Sequence, residues 1–201
     1  MRLQGDSVVI DPLVARVGEA LSARELGWAV AGGWAIDLFI GRLTRQHADV
    51  DIAVWRDEQE HLRTALPDWG FSIADSGQLR PWPSGTLLAP PLHELHAISA
   101  DEKSSVEFLL NDRRDGSWLY RRDHSIRLAL AEAIQRDGPL PFLAPEIVLL
   151  YKSKSPRATD DADLRSTLPR LSTSARQWLA GALARADAAH PWLAPLRETE
   201  E

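Results

Sequence analysis

Gly32-Gly33-Trp34-Ala35-Ile36-Asp37, then the polar stretch Gly41-Arg42-Leu43-Thr44-Arg45-Gln46-His47-Ala48, then Asp49-Val50-Asp51-Ile52-Ala53-Val54 decide how this chain is read. Trp28-Ala29-Val30-Ala31 just before the glycines is short and apolar, which predicts a strand, and Trp34 to Ile40 predicts a helix. A glycine pair between strand and helix lets backbone approach a ligand closely, and the helix start offers free N–H groups to an anion. Asp49 to Trp55 alternates and is β-rich, which predicts a strand. Positions i and i+2 of a strand project to one face, so Asp49 and Asp51 point together, with Val50 and Ile52 opposite. Side-by-side carboxylates repel, and a hard divalent cation resolves the conflict; solvated acids at a strand end are the plain alternative.

A third acid stands in Val106-Glu107-Phe108-Leu109-Leu110, alone in an apolar strand pattern. Charged residues are rarely buried unless paired or bound to metal, so Glu107 is either a third ligand beside Asp49 and Asp51 or an acid on an exposed edge.

Around this centre the chain is ordinary. It has 201 residues, 44% of them hydrophobic and 26% charged, which suits one sizeable domain or two lobes sharing a core. Asp11-Pro12 opens a helix with buried-type spacing at Leu13, Val14, Val17 and Leu21. Asp57 to Leu66 predicts another helix, Gln78 to Pro91 a long loop, and Leu92 to Ile98 with Ser105 to Leu110 paired strands. After Pro139 and Pro141 the pattern turns helical, over Pro145 to Lys152, Asp160 to Leu168 and Thr173 to Ala186. The expectation is an α+β front half, residues 1–140, holding the chemistry, and a C-terminal helical lobe over residues 141–201. The acidic tip Glu198-Thr199-Glu200-Glu201 reads as disordered.

Composition excludes several classes. Without cysteine there is no disulfide framework, thiolate nucleophile or thiolate metal site. No apolar run is long enough to span a membrane, and Met1 to Asp6 has no signal-peptide character, so a cytoplasmic protein is expected. A net charge of −6 argues against a nucleic-acid partner and fits a cationic small molecule. His93-Glu94-Leu95-His96 has i, i+3 spacing on a strand pattern rather than the i, i+4 helical spacing of a zincin site, and reads as surface or pocket lining.

The order of these motifs resembles the nucleotidyltransferase superfamily that includes DNA polymerase beta. The block Gly32-Gly33-Trp34 with Asp37, followed by Gly41-Arg42, Thr44-Arg45, His47, Asp49 and Asp51, is closest to its small-molecule branch, the aminoglycoside 2''-nucleotidyltransferases and lincosamide nucleotidyltransferases. The resemblance is strong over about twenty contiguous residues and loose over residues 12–110. It implies a mixed β-sheet with flanking helices followed by a helical lobe. It also implies a nucleoside triphosphate, ATP or another, as co-substrate, two Mg2+ ions, and a nucleoside monophosphate passed to a hydroxyl with pyrophosphate leaving. Asp49, Asp51 and Glu107 would hold the metals; the third acid of these families is commonly aspartate, with Asp101 and Asp112 the other candidates here. Gly32 and Gly33 would cradle phosphates, and Thr44, Arg45 and His47 would reach them from the loop. Arg42 pairing with Asp37, or His47 shaping the loop through a backbone carbonyl, are the structural alternatives. Lys152 and Lys154 resemble lysines that face the nucleotide across the cleft; Lys152 equally suits a helix C-terminus. Asp160, Asp161 and Asp163 cap a helix, pair with Arg157 and Arg165, or serve the acceptor. A small-molecule acceptor, a transfer-RNA-modifying toxin and a catalytically degenerate nucleotide-binding domain are the functions to separate. Acceptor identity and oligomeric state are not readable from the sequence.

Overall fold

The computed structural model describes residues 11–198. Met1 to Asp6, and Thr199 to Glu201 of the acidic tip, lie outside the described residues.

The first helix, α1 (Pro12–Ser22), begins where Asp11 accepts a hydrogen bond from the Leu13 N–H at 2.8 Å, with Pro12 in the first turn. Its Val14, Val17 and Leu21 are buried, and Gly18 lies where a Cβ would strike the Trp28 ring, 2.3 Å away. Strand β1 (Trp28–Val30) leads straight into α2 (Gly32–Ile40), which ends at Gly41 in the left-handed conformation. Strand β2 (Asp51–Trp55) then runs antiparallel to β1. It starts two residues later than the sequence pattern suggests. Asp51 pairs with Glu107 and the Val50 carbonyl accepts from the Glu107 N–H, but the ladder ends there and leaves Asp49 exposed in the loop.

The predicted helix from Asp57 is a 3-10 turn over Arg56–His61 and one α-turn, α3 (Leu62–Ala65). The expected loop from Gln78 is partly a hairpin: β3 (Trp69–Asp75) and β4 (Gln78–Pro81) meet at Ser76-Gly77, both with positive φ. That geometry matches the right-handed twist of the flanking strands. Strand β5 (Glu94–Ser99) pairs with β3 on one side and with β6 (Ser105–Arg114) on the other. A second hairpin, at Asp115-Gly116, turns β6 into β7 (Ser117–Tyr120), which pairs with β8 (Asp123–Ala129).

After the short α4 (Leu130–Ala133), β9 (Ile134–Gln135) and β10 (Phe142–Leu143) close the sheet, β10 lying parallel to β1. The strand order is β4-β3-β5-β6-β2-β1-β10-β9, with β7 and β8 branching from β6. This is a mixed α+β sheet with flanking helices. Helices α5 (Pro145–Lys152), α6 (Ala158–Thr167), α7 (Thr173–Ala186) and α8 (Leu193–Arg197) follow; α5 and α6 both pack on α2. One core runs through sheet and helices, from Ile36 and Ile52 through Phe108 and Trp118 to Leu149 and Leu179. Among the described residues no helix is long and apolar enough to cross a membrane.

Candidate active site

The parallel pairing of β2 with β6 sets Asp51 opposite Glu107, and the antiparallel pairing of β6 with β5 sets Glu107 opposite His96. Glu94 shares the His96 face of β5, since side chains alternate along a strand. Four ionisable groups therefore meet at one end of three adjacent strands. His96 Nε2 lies 2.7 Å from Glu94 Oε1, and its Nδ1 lies 3.9 Å from Glu107 Oε1.

Crowding shows in the acidities. Burial, and then the neighbouring Asp51, push Glu107 up to about 7, with His96 opposing. Asp51 is also raised, by burial first and then by Asp49; Lys152 and a hydrogen bond shared with Glu107 oppose the rise. A proton held between Asp51 and Glu107 is what two adjacent carboxylates adopt when no cation separates them.

Gly32 explains how Asp51 reaches this position. Its φ is +58°, and a Cβ there would fall 1.9 Å from Asp51 Oδ2. Gly33 is equally confined: a Cβ would meet the His47 ring at 2.4 Å and Arg45 Nη2 at 2.6 Å. The glycine pair is thus shaped by the acid strand and the following loop.

That loop is organised by Asp37, which is fully buried on α2. Asp37 accepts from the Thr44 N–H at 3.0 Å and from the Thr44 hydroxyl, and its other oxygen lies 2.5 Å from His47 Nε2. So Thr44 and His47 are engaged by a buried carboxylate, and the Trp34 ring packs on His47 at 4.8 Å between centroids. The structure brings His47 to Asp37 in place of a backbone carbonyl, and leaves Arg42 exposed. Asp37 had a signal of its own: it is an acid inside the apolar run Ala35 to Ile40.

Arg45 reaches across to the helical lobe. Its Nε and Nη2 lie 3.3 and 3.2 Å from the two oxygens of Asp163 on α6. Lys152, at the end of α5, donates to Asp160 at 2.7 Å and lies 3.0 Å from Asp163. Asp160 also accepts from the Arg157 N–H at 2.9 Å, capping α6. Burial works against its charge, but hydrogen bonds from Arg157 and Lys152 hold its carboxyl well below the usual range. Asp160 and Asp163 are each about 2% exposed.

A cleft of about 430 Å³ opens between the sheet and these helices. Gly32, Asp51, Glu94 and Glu107 line one side and Lys152, Lys154, Arg157 and Asp160 the other. Asp49 and Gly33 are not on its wall, although Asp49 is near enough to raise both Asp51 and Glu107. Among the described residues, the potential ligand atoms lying within 4.8 Å of one another belong to Glu94, His96 and Glu107, and the set Asp49, Asp51 and Glu107 is not drawn that close.

The other acids considered for the third position are spent elsewhere. Asp112 pairs with Arg56 at 2.7 Å, and Asp101 is exposed in a turn with Ser99. Trp82 of the Pro-rich stretch is buried against Phe71 and Arg63 and donates to the Thr86 carbonyl at 2.8 Å. Glu94 and His96 come into the centre from the motif the sequence left as lining. Their i, i+2 spacing on a strand, opposite Glu107, was the available signal.

Several known proteins are similar to this chain. A lincosamide resistance protein of Staphylococcus haemolyticus is 23% identical over 125 residues, covering 61% of this chain and 71% of that protein. A crystal structure of ANT(2'')-Ia in complex with adenylyl-2''-tobramycin superposes with a TM-score of 0.58 and 17% identity, covering 87% of this chain and 97% of its own. A crystal structure of lincomycin-bound LnuA, a lincosamide antibiotic adenylyltransferase, gives 0.55 and 15%, covering 80% and 97%. Both are likenesses of fold. The model of the aminoglycoside-2''-adenylyltransferase family matches residues 13–130, from α1 through the acid strands to α4. On that match, which spans more than half of its length, the chain belongs to the aminoglycoside-2''-adenylyltransferase family and is a nucleotidyltransferase.

Proposed function

We propose that the chain transfers a nucleoside monophosphate, adenylyl by the character of its family, from a nucleoside triphosphate to a hydroxyl of a small molecule of aminoglycoside or lincosamide kind, releasing pyrophosphate. The observation that carries the reading is the register of Asp51 with Glu107 across β2 and β6, at the mouth of a cleft whose other side carries Lys152. Asp49 supports it from the loop.

The donor set fits magnesium, which favours a few carboxylates together with substrate phosphates. The raised pKa values of Asp51 and Glu107 are the sign of that fit, because their mutual repulsion is what a divalent cation relieves. Asp49, Asp51 and Glu107 would hold it; when bound, such ions neutralise charge on phosphate oxygens and lower the pKa of a coordinated hydroxyl. The chain's own residues do the rest. Glu107 would also accept the proton that leaves the attacking hydroxyl. Lys152, held by Asp160 and Asp163, keeps a positive charge facing Asp51 and the phosphates. Gly32 keeps the approach to Asp51 free of side chain, and Gly33 leaves room for the loop that carries Arg45 and His47. Thr44 and His47 act through Asp37 in setting that loop. Arg45 is held by Asp163 and would have to exchange that partner for a phosphate; Lys154 is exposed at the rim and free to approach one. The strand-bearing part, residues 1–140, would supply the metal side, and residues 141–201 the opposing cations. Cytoplasmic work on a small molecule that has entered the cell is consistent with this reading.

Pyrophosphate release tests it, with magnesium, each of the four triphosphates and a panel of aminoglycosides and lincosamides, transfer RNA being included as the macromolecular contrast. Turnover with one small molecule, abolished by Asp51→Asn, is expected. Turnover with transfer RNA alone moves the acceptor to nucleic acid. Silence throughout, without triphosphate binding, overturns the enzymatic reading.

A further inference from the structure

Several cations in and near the cleft are matched with carboxylates: Lys152 and Arg157 with Asp160, Arg45 with Asp163, and Arg56 with Asp112. Arg121 is not. It follows β7 at the turn into β8 and lines the same cleft as Asp51 and Glu107. Its guanidinium lies over the Tyr151 ring at 5.3 Å. The ionisable neighbours that act on it are Arg122, Tyr151 and Arg56, with no carboxylate among them. Burial first, and then Arg122, push it down to about 10, so at neutral pH it keeps its charge in a setting that disfavours one.

Arg122 adds to the imbalance. Its Nη1 donates to the Tyr120 hydroxyl at 2.8 Å, an uncharged partner. Lys154 faces the same space and has no carboxylate partner among the described residues. Arg122 and Lys154 also line a second cavity, of about 650 Å³, on the side of α7. Arg122 and Lys154 therefore stand where the two cavities adjoin, with Arg121 on the wall of the first. Arg122 and Lys154 are exposed, but Arg121 is half-buried; such a charge without a counter-ion is costly in the free protein, and a planar fork resting on an aromatic face is organised for an oxyanion.

We propose that Arg121, Arg122 and Lys154 form an anion subsite in the cleft that takes a phosphate group of a bound ligand. The anion site is a property of the cations alone; its place in catalysis rests on the nucleotidyl-transfer reading. The phosphate comes either from the triphosphate tail or from an anionic acceptor.

The probe is inorganic pyrophosphate, titrated calorimetrically into the full chain in EDTA, so that the carboxylates repel it and only the cations attract it. The wild type is expected to bind, more weakly as salt rises. Arg121→Gln is expected to bind about tenfold more weakly or worse, as loss of a charge-assisted partner implies. Arg121→Lys, which keeps the charge without the fork, falls between them, so a general folding defect is separable from loss of the site. Asp51→Asn binds pyrophosphate at least as well as the wild type, whatever its turnover. A failure of the transfer reaction thus leaves this result standing, and the reverse also holds. ATP and adenosine under the same conditions identify the source. If Arg121→Gln weakens ATP but not adenosine, the triphosphate tail fills the subsite; if it weakens pyrophosphate and leaves ATP unchanged, the acceptor supplies the anion. No pyrophosphate binding by the wild type, or equal binding by Arg121→Gln, overturns the proposal.

Discussion

On the sheet side of the cleft, Asp51, Glu94 and Glu107 crowd together with His96 between two of them. On the helical side, Asp160 and Asp163 are just as acidic in composition but far more deeply buried, and each is bound by Lys152 and by an arginine. The same residue type has opposite consequences. Burial raises Asp51 and Glu107 and their acidic neighbours add to it, while Asp160 is lowered in spite of burial because its neighbours are cations. The sheet side is frustrated in the free protein and open to a cation from outside; the helical side is complete as it stands. Binding sites keep such unresolved charge, whereas scaffolds resolve it.

The comparison breaks most visibly at Asp51. Replacing it by Asn leaves the shape and removes one of the repelling charges. Turnover is expected to fall by ~10³-fold or more, beyond the ~10–100-fold that follows loss of a metal ligand's supporting partner. Thermal stability without divalent cation is expected to hold or rise. A variant that loses stability along with turnover would place Asp51 in the scaffold and erase the contrast.

Asp163→Ala is the matching test on the other side, and it should act on stability. Lys152 and Arg45 both lose a carboxylate that is 2% exposed. Removing one partner of a buried pair costs about 3–5 kcal/mol, and the lower end applies because Asp160 still holds Lys152 and Arg45 is partly exposed. Chemical denaturation reads this directly. An unchanged midpoint would mean the helical side is not the completed one.

How far the sequence foretold this contrast depends on the range of the interactions. The glycine turn, the acid strand and Glu107 were legible because each is a local pattern whose chemistry needs few neighbours. So was the α+β division, with strands ahead of helices. Arg45 was assigned to phosphate by its place in the loop. Its observed partner Asp163 lies 118 residues away, and no local pattern announces such a pair. Strand β4 and its turn escaped because the Pro and Gly residues around them read as loop, and Ser76 gives no signal of its positive φ. Strand β7 was hidden among the charges of Arg113 to Arg122, although Asp115-Gly116 is a strong hairpin pair. Asp49 was placed in the strand by alternation alone, but the ladder with β6 ends at Asp51 although β6 itself runs on to Ser105.

Gly32→Ala sharpens the contrast at smaller amplitude. A non-glycine residue at this φ costs about 1–2 kcal/mol, and the added methyl must displace the Asp51 carboxylate. The expected signature is a modest drop in the denaturation midpoint with a fall in turnover of roughly tenfold. Gly41→Ala is the control: its φ is also positive, but nothing lies within 4 Å of an added Cβ. It should show the stability loss and keep turnover.

The smallest expected effect is the dependence of stability on pH. Glu107 in the folded chain stands at about 7, above its ordinary 4.5. Between those values the folded state holds the proton and the unfolded state has released it. The unfolded chain then binds fewer protons, so stability falls as pH rises through this window and levels off above about 7. Asp51, also raised, adds to the same slope. Asp160, held low by Lys152 and Arg157, has the opposite sign: its contribution is already complete above the ordinary carboxylate range and is lost only in acid. Thermal melts in EDTA from about pH 5 to about pH 8 should therefore slope downward in the wild type and flatten in Glu107→Gln, with the acid side unchanged. Added magnesium should stabilise the wild type more at the upper end of that range, where Glu107 has lost its proton, and Glu107→Gln should lose that pH dependence. A wild-type profile that is flat in EDTA would remove the repulsion on which the sheet side's demand for a cation rests.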